Sequence, residues 1–197
     1  MNRITAYIRQ SLQDIYPPEE VKALSMLICC DMLGVDALDI YMGKDIILSA
    51  CKQRELENII FRLQKNEPIQ YIRGYAEFCG RNFRVAPGVL IPRPETAELV
   101  DLIVKENPDA RRLLDIGTGS GCIAISLDKN LPDAKVDAWD ISEEALAIAR
   151  KNNEELDAQV TFRRQDVFSA DGIQGASYDI IVSNPPYVTE TEKTEME

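Results

Sequence analysis

The spacing of apolar residues changes character along the chain. Ile4, Ile8 and Leu12 recur at helical intervals. Leu56, Ile59, Ile60 and Leu63 share one face of a helix predicted over Ser49 to Lys65, with charges on the other. Between these stretches, Pro17-Pro18-Glu19-Glu20 places prolines and acids where a first helical turn accepts them. It leads into a helix from Val21 to Leu33, stopped by Gly34, and a short helix from Asp36 to Met42 ends at Gly43. Residues 1 to about 67 therefore read as a small helical bundle, broken by Glu67-Pro68. Across 69–91 the pattern shifts: Tyr71, Ile72, Tyr75, Phe78, Phe83, Val85, Val89, Leu90 and Ile91 lie among Gly74, Gly80, Pro87 and Gly88. This is β-hairpin composition and suggests a bridge between domains.

Ile91-Pro92-Arg93-Pro94-Glu95-Thr96 opens a helix from about Glu95 to Asn107. Beyond Arg111 strands and helices alternate. Strands are predicted at Leu113–Ile116, Val136–Trp139, Val160–Arg164 and Asp179–Val182, with helices at Cys122–Lys129 and Glu143–Asn152. Such alternation implies right-handed crossovers and a parallel sheet, an α/β fold. The expected organisation is a helical domain over 1–72, a hairpin connector over 73–93 and an α/β domain over 94–197. The polar tail Thr189–Glu197 is expected to fray.

Composition narrows the chemistry. Histidine is absent, which excludes His-based triads, His-ligated metals and an imidazole general base, and no metal site is expected. Cys29, Cys30, Cys51, Cys79 and Cys122 show neither CxxC nor paired metal spacing, as expected of reduced thiols in a cytosol. No apolar run reaches the length of a membrane span, and the polar start Met1-Asn2-Arg3 is no signal peptide, so a cytoplasmic protein without a membrane partner is expected. The net charge of −11 is uneven: residues 1–72 hold 8 Lys and Arg against 10 Asp and Glu, residues 73–197 hold 14 against 23. Most of these charges read as solvated surface. The acidic second part is nevertheless a poor match for a phosphate backbone, so no direct nucleic-acid binding is expected.

Three loops carry the candidate chemistry. Asp115-Ile116-Gly117-Thr118-Gly119-Ser120-Gly121 follows a strand and opens a helix. Its glycines let backbone approach a ligand closely, and Asp140, ending the next strand, stands where an acid can accept both ribose hydroxyls. A dinucleotide loop would carry a third glycine where Cys122 stands; the GxGxG spacing instead suits an adenosyl-amino-acid. Asp166-Val167-Phe168, after the third strand, lies where a loop covers adenine. Asp166 is placed to accept from the exocyclic amine, and the Val167 backbone and Phe168 side chain to wall the ring, with Phe168 leaning toward the core. Asn184-Pro185-Pro186-Tyr187 follows the last strand, and its prolines hold it extended. The Asn184 amide and the Pro185 carbonyl suit the two N–H groups of a planar NH2, and Tyr187 suits stacking on it. The hydrogen bonds would orient the nitrogen lone pair, which is positioning rather than covalent catalysis. Alone, this motif fits adenine and glutamine equally.

Taken together, these motifs resemble the Rossmann-like S-adenosylmethionine-dependent methyltransferases. More narrowly, the chain resembles the HemK/PrmC family, the glutamine-N5 methyltransferases of peptide chain release factors. The narrower likeness rests on the helical first domain and on Glu67-Pro68-Ile69-Gln70-Tyr71-Ile72-Arg73-Gly74 running through Glu77-Phe78 to Leu90-Ile91-Pro92-Arg93-Pro94-Glu95-Thr96. It rests also on Asn184–Tyr187 following Asp115–Gly121 and Asp140. The resemblance implies S-adenosylmethionine as cofactor, held by Gly117, Thr118, Gly119, Ser120, Gly121, Asp140, Asp166, Val167 and Asn184. It implies a Gly-Gly-Gln glutamine held by Asn184, Pro185, Pro186 and Tyr187, with Asn184, Pro185 and Tyr187 catalytic, and a release factor docked on residues 1–72.

Two departures stand out. Ala97 precedes Glu98 where the family commonly has an acid directly after Glu95-Thr96. The family's sheet has seven strands, and this chain supplies the four around the cofactor loop, leaving Asp179–Val182 as an apolar edge. A chain of this kind is expected to be an incomplete form that binds cofactor weakly and transfers methyl poorly. Competing readings are a nucleic-acid adenine-N6 methyltransferase, a nicotinamide oxidoreductase, and a fragment acting only as a binding module.

Overall fold

The structure, a computed structural model, describes residues 2–169 and 177–185. It divides into two compact units, Met1–Arg73 and Gly74–Glu197. The first unit holds α1 (Arg3–Leu12), α2 (Pro18–Met26), α3 (Ala37–Tyr41), α4 (Ala50–Leu63) and α5 (Ile69–Arg73). Asn2, Asp36 and Ser49 accept hydrogen bonds from the first-turn amides of α1, α3 and α4. Ile8 and Leu12 of α1, Leu24 of α2 and Leu56 and Ile60 of α4 are buried in one cluster, as their helical spacing requires.

Two features of this unit differ from the sequence pattern. The helix from Pro18 does not run on as one α-helix to Leu33. Leu27–Met32 widens into a π-helical turn, and the Leu33 N–H donates to the Ile28 carbonyl five residues back, at 2.9 Å. Residues 69–73 are helical rather than part of a hairpin. Pro68 suits a helix start, its carbonyl accepts from the Tyr71 and Ile72 amides, and Ile69 and Ile72 pack on the helical core. Arg73 Nε pairs with Asp31 at 2.8 Å.

In the second unit β1 (Tyr75–Phe78) and β2 (Arg81–Arg84) form an antiparallel hairpin. Cys79 and Gly80 link them, both at positive φ (47° and 70°), as a tight hairpin turn between right-twisted strands requires. Phe78 and Phe83 meet edge to face at 5.9 Å and join the buried cluster that holds Val100 and Ile125. The hairpin is thus built into the second unit's own core.

The other strands are β3 (Arg112–Ile116), β4 (Lys135–Asp140), β5 (Thr161–Arg164) and β6 (Ile180–Ser183), with helices α6 (Pro94–Glu106), α7 (Cys122–Asn130) and α8 (Glu143–Glu155). Among the described residues these strands make a four-stranded parallel sheet in the order β5-β4-β3-β6. Leu113 and Leu114 are both fully buried, as expected of a central strand covered on both faces. The start of β6 is pinned by Asp179, whose carboxylate accepts from the Arg111 and Arg112 amides at 2.7 and 2.9 Å. These bonds hold its carboxyl below the usual range. β6 lies at the edge of this sheet and leaves Ile181 half exposed. No helix among the described residues is long and apolar enough to cross a membrane.

One buried side chain ties the hairpin to the sheet's first loop. Asn152 of α8 is 1 % exposed. Its Oδ1 accepts from the Arg84 N–H at 2.6 Å, and its Nδ2 donates to the Arg84 carbonyl at 3.1 Å and the Ser120 carbonyl at 2.8 Å. Asn152→Leu strands these backbone groups, so it is expected to cost about 2–3 kcal/mol, read as a lower urea midpoint at unchanged slope.

Candidate functional site

The sheet order reverses at β3: the chain runs outward through β4 and β5, then returns to the other side as β6. Such a switch point opens a crevice at the carboxyl ends of the strands. Ile116, Trp139 and Ser183 are opposite one another in register, so the segments after β3, β4 and β6 leave from the same edge.

The loop after β3 is folded by backbone bonds. The Gly117 and Thr118 amides both donate to the Trp139 carbonyl, at 2.8 and 3.0 Å, and the Gly121 N–H donates to the Thr118 carbonyl at 2.9 Å. Gly117, Gly119 and Gly121 have φ of 73°, 56° and 81°, the left-handed region. The three glycines do different work. A Cβ on Gly117 or Gly119 meets nothing within 4 Å, so these face open space. A Cβ on Gly121 falls 3.1 Å from the side chains of Ala149 and Ile125, so this glycine lets α7 and α8 close together. Beneath the loop Asp115 is 1 % exposed; its Oδ2 accepts from the Thr118 hydroxyl at 2.6 Å, and its Oδ1 makes no hydrogen bond of good geometry. Burial pushes this carboxyl up to about 6, opposed by Thr118 and the Ala124 N–H and assisted by the charge of Asp140. The buried Ser120 hydroxyl oxygen likewise has no partner of good geometry.

Asp140 ends β4 and braces the turn on both sides. Its Oδ2 accepts from the Gly119 N–H and its Oδ1 from the Ser142 N–H, each at 2.9 Å. A carboxylate offers about four lone-pair sites, so two bonds leave capacity for ribose hydroxyls. After β5, Asp166 is exposed and its Oδ1 accepts from the Phe168 N–H at 2.9 Å, a local turn. Val167 is 38 % exposed. Phe168 corrects the expectation of a core residue: it is 95 % exposed, in a turn closed by its own N–H on Asp166.

After β6, the Ser183 hydroxyl donates to the Ile116 carbonyl at 2.8 Å. The next residue, Asn184, is partly buried, and its Nδ2 donates to Thr96 Oγ1 at 2.9 Å. Pro185 is exposed. The expectations for Pro186, Tyr187 and the tail Thr189–Glu197 fall outside the described residues. The glycine loop, Asp140 and Asn184 thus lie along one edge of the sheet, with Asp166 and Val167 beyond β4. Sequence reading missed Asn152 as a support of the loop and Thr96 as the partner of Asn184. Neither contact has a local pattern. It also missed Ile141, which follows Asp140 and is 63 % exposed at the same edge.

Comparison with known proteins first defines a class. The family model described as "Methyltransferase small domain" matches residues 95–196. A solved structure, the T. thermophilus 16S rRNA N2 G1207 methyltransferase (RsmC) in complex with AdoMet and guanosine, aligns at a TM-score of 0.50 with 25 % identity, over 59 % of this chain and 33 % of that one. The fold is that of the Rossmann-like methyltransferases. A second family model, "PrmC N-terminal domain", matches residues 4–74. The Release factor glutamine methyltransferase of Flavobacterium psychrophilum is 41 % identical over 95 % of this chain and 67 % of its own length. That of Koribacter versatilis is 49 % identical over 81 % of this chain and 58 % of its own. The chain belongs to the HemK/PrmC family of release factor glutamine methyltransferases. It spans about half to two thirds of the length of the curated relatives it matches.

Gly121→Ala is expected to lower the melting temperature by several degrees, because it combines left-handed strain with contact against Ala149 and Ile125. Gly117→Ala carries only the strain, about 1 kcal/mol, and its methyl enters the open space above the loop. Its main effect should be on ligand affinity, seen by calorimetry. Asp115 makes stability pH-dependent. Its folded pKa is raised, so its contribution is full below the unfolded value and is lost as pH rises through about 6. Relative to Asp115→Asn, the unliganded wild type should gain about 2 kcal/mol between pH 7 and pH 4, measured by urea unfolding.

Proposed function

We propose that the chain binds S-adenosylmethionine at the glycine loop and directs its methyl group to the side-chain amide nitrogen of a glutamine in the Gly-Gly-Gln motif of a peptide chain release factor. The observation that carries this reading is Asn184, set beside the glycine loop by strand pairing and held through its amide by Thr96. The residues fit the cofactor. Gly117 and Gly119 leave space for backbone approach, and Asp140 retains acceptor capacity for ribose. Asp166 and the exposed Val167 suit the adenine edge.

When bound, the cofactor supplies an electrophilic methyl on a positively charged sulfur. The chain's part is to hold the nucleophile. An amide nitrogen is weakly nucleophilic because its lone pair is delocalised into the carbonyl. Asn184 Oδ1 and the Pro185 carbonyl would accept its two N–H groups and turn the lone pair toward the methyl, with Tyr187 stacking on the amide plane. The sulfonium would supply the methyl carbon and depart as a neutral thioether, and the amide nitrogen held by Asn184 and Pro185 would lose one proton to water. Positioning of this kind accounts for large accelerations without covalent intermediates.

We further infer that residues 1–72 dock the release factor, that 73–93 connect and that 94–197 carry the chemistry, in translation termination in the cytosol. The match of residues 4–74 to the PrmC N-terminal model supports the first part, and five free cysteines are in keeping with a reducing compartment. A nucleobase amine presents the same planar NH2, but the acid excess over residues 73–197 disfavours it. The test is labelled methyl transfer from the cofactor to a purified release factor, to DNA and to RNA. Label should appear on the release factor alone, and Asn184→Ala should lower the rate about 10²–10³-fold. Label on nucleic acid, or an unaffected Asn184→Ala variant, overturns the reading.

A further inference from the structure

Ile91–Thr96 ends the connector on which the family resemblance rests, yet the proposed chemistry gives it no task. Thr96 sits in the first turn of α6, 8 % exposed. That turn is set by Pro94, with Arg93 extended before it, and has no side-chain cap. The Thr96 hydroxyl is therefore not used as the helix cap its residue type favours. It receives the Asn184 amide from a different part of the chain, at 2.9 Å.

We propose that Thr96 is a positioning residue, holding the Asn184 side-chain amide in place for the substrate; this rests on the reading of Asn184 as the group that holds the glutamine. The backbone of Asn184 is already placed: Ser183 is bonded to Ile116 on one side, and Pro185 restricts it to an extended conformation on the other. The bond to Thr96 holds its side chain. Only the oxygen can accept the N–H of a substrate amide. With Nδ2 donating to Thr96 Oγ1, Oδ1 is the end presented for that bond. Threonine suits the task because branching at Cβ stiffens χ1 and fixes where Oγ1 lies. Pro94 starts α6 at a set point, so the segment before Thr96 delivers one hydroxyl to one place.

Two measurements test this. Thr96→Val keeps the shape and removes the acceptor; Thr96→Ser keeps the acceptor. In single-turnover transfer to a Gly-Gly-Gln peptide, Thr96→Val should be slower by about tenfold or more while its affinity for S-adenosylhomocysteine stays within about twofold. Thr96→Ser should recover to within about threefold of wild type. The second readout needs no activity: the side-chain amide protons of Asn184, identified by Asn184→Asp, followed by NMR. Wild type and Thr96→Ser should show one proton protected from exchange, and Thr96→Val should lose that protection. Unchanged transfer in Thr96→Val, a rate loss fully matched by lost cofactor affinity, or amide protons indifferent to Thr96→Val overturns the proposal. A wild type that methylates no glutamine, but whose Asn184 amide responds as described, overturns the substrate reading and leaves the positioning bond standing.

Discussion

The in-register parallel pairing of β3 with β4 and β6 is the constraint on which the rest depends. It sets Ile116 beside Trp139 on one side and Ser183 on the other. Neighbouring strands lie about 4.8 Å apart, so segments distant in sequence begin within one strand spacing of each other. The apolar residues of β3 reward this arrangement by burial on both faces. Asp179 fixes the register of β6 by taking two backbone amides of the β3 entry. A slip of one residue would turn Val182, buried at 6 %, to the opposite face.

Around that pairing, polar side chains hold the loops rather than act on a substrate directly. Asn152 joins the hairpin to the glycine loop, Thr118 closes it over Asp115, Asp140 braces its middle and Thr96 holds Asn184. These groups are partly or wholly buried, where a hydrogen bond is electrostatically stronger than in water and an unpaired group is costly. A chain without histidine relies on such positioning. Its acceptors are amides, carbonyls and carboxylates, and their value lies in where they are held.

Much of this was legible in the sequence. The helical period of Ile4, Ile8 and Leu12, the glycines after Leu113–Ile116 and the alternation beyond Arg111 each report local constraints, and the corresponding helices, loop and strands follow them. What escaped was decided by long-range contact. Ile69 and Ile72 sit in a stretch of hairpin composition but pack on helices of the first unit, and burial outweighs propensity. The π-turn at Leu27–Met32 has no motif of its own. Phe168 read as core because it is large and apolar, yet it is almost fully exposed in the turn after Asp166. Asn152 and Thr96 were invisible because their partners lie far along the chain.

The most direct test of the account is mass-spectrometric mapping of a release factor after incubation with this protein and S-adenosylmethionine. The account predicts one added methyl group, on the side chain of the glutamine in Gly-Gly-Gln, appearing about 10²–10³-fold more slowly when Asn184 is replaced by alanine. A methyl group on any other residue, or the same modification at an unchanged rate without Asn184, would contradict it.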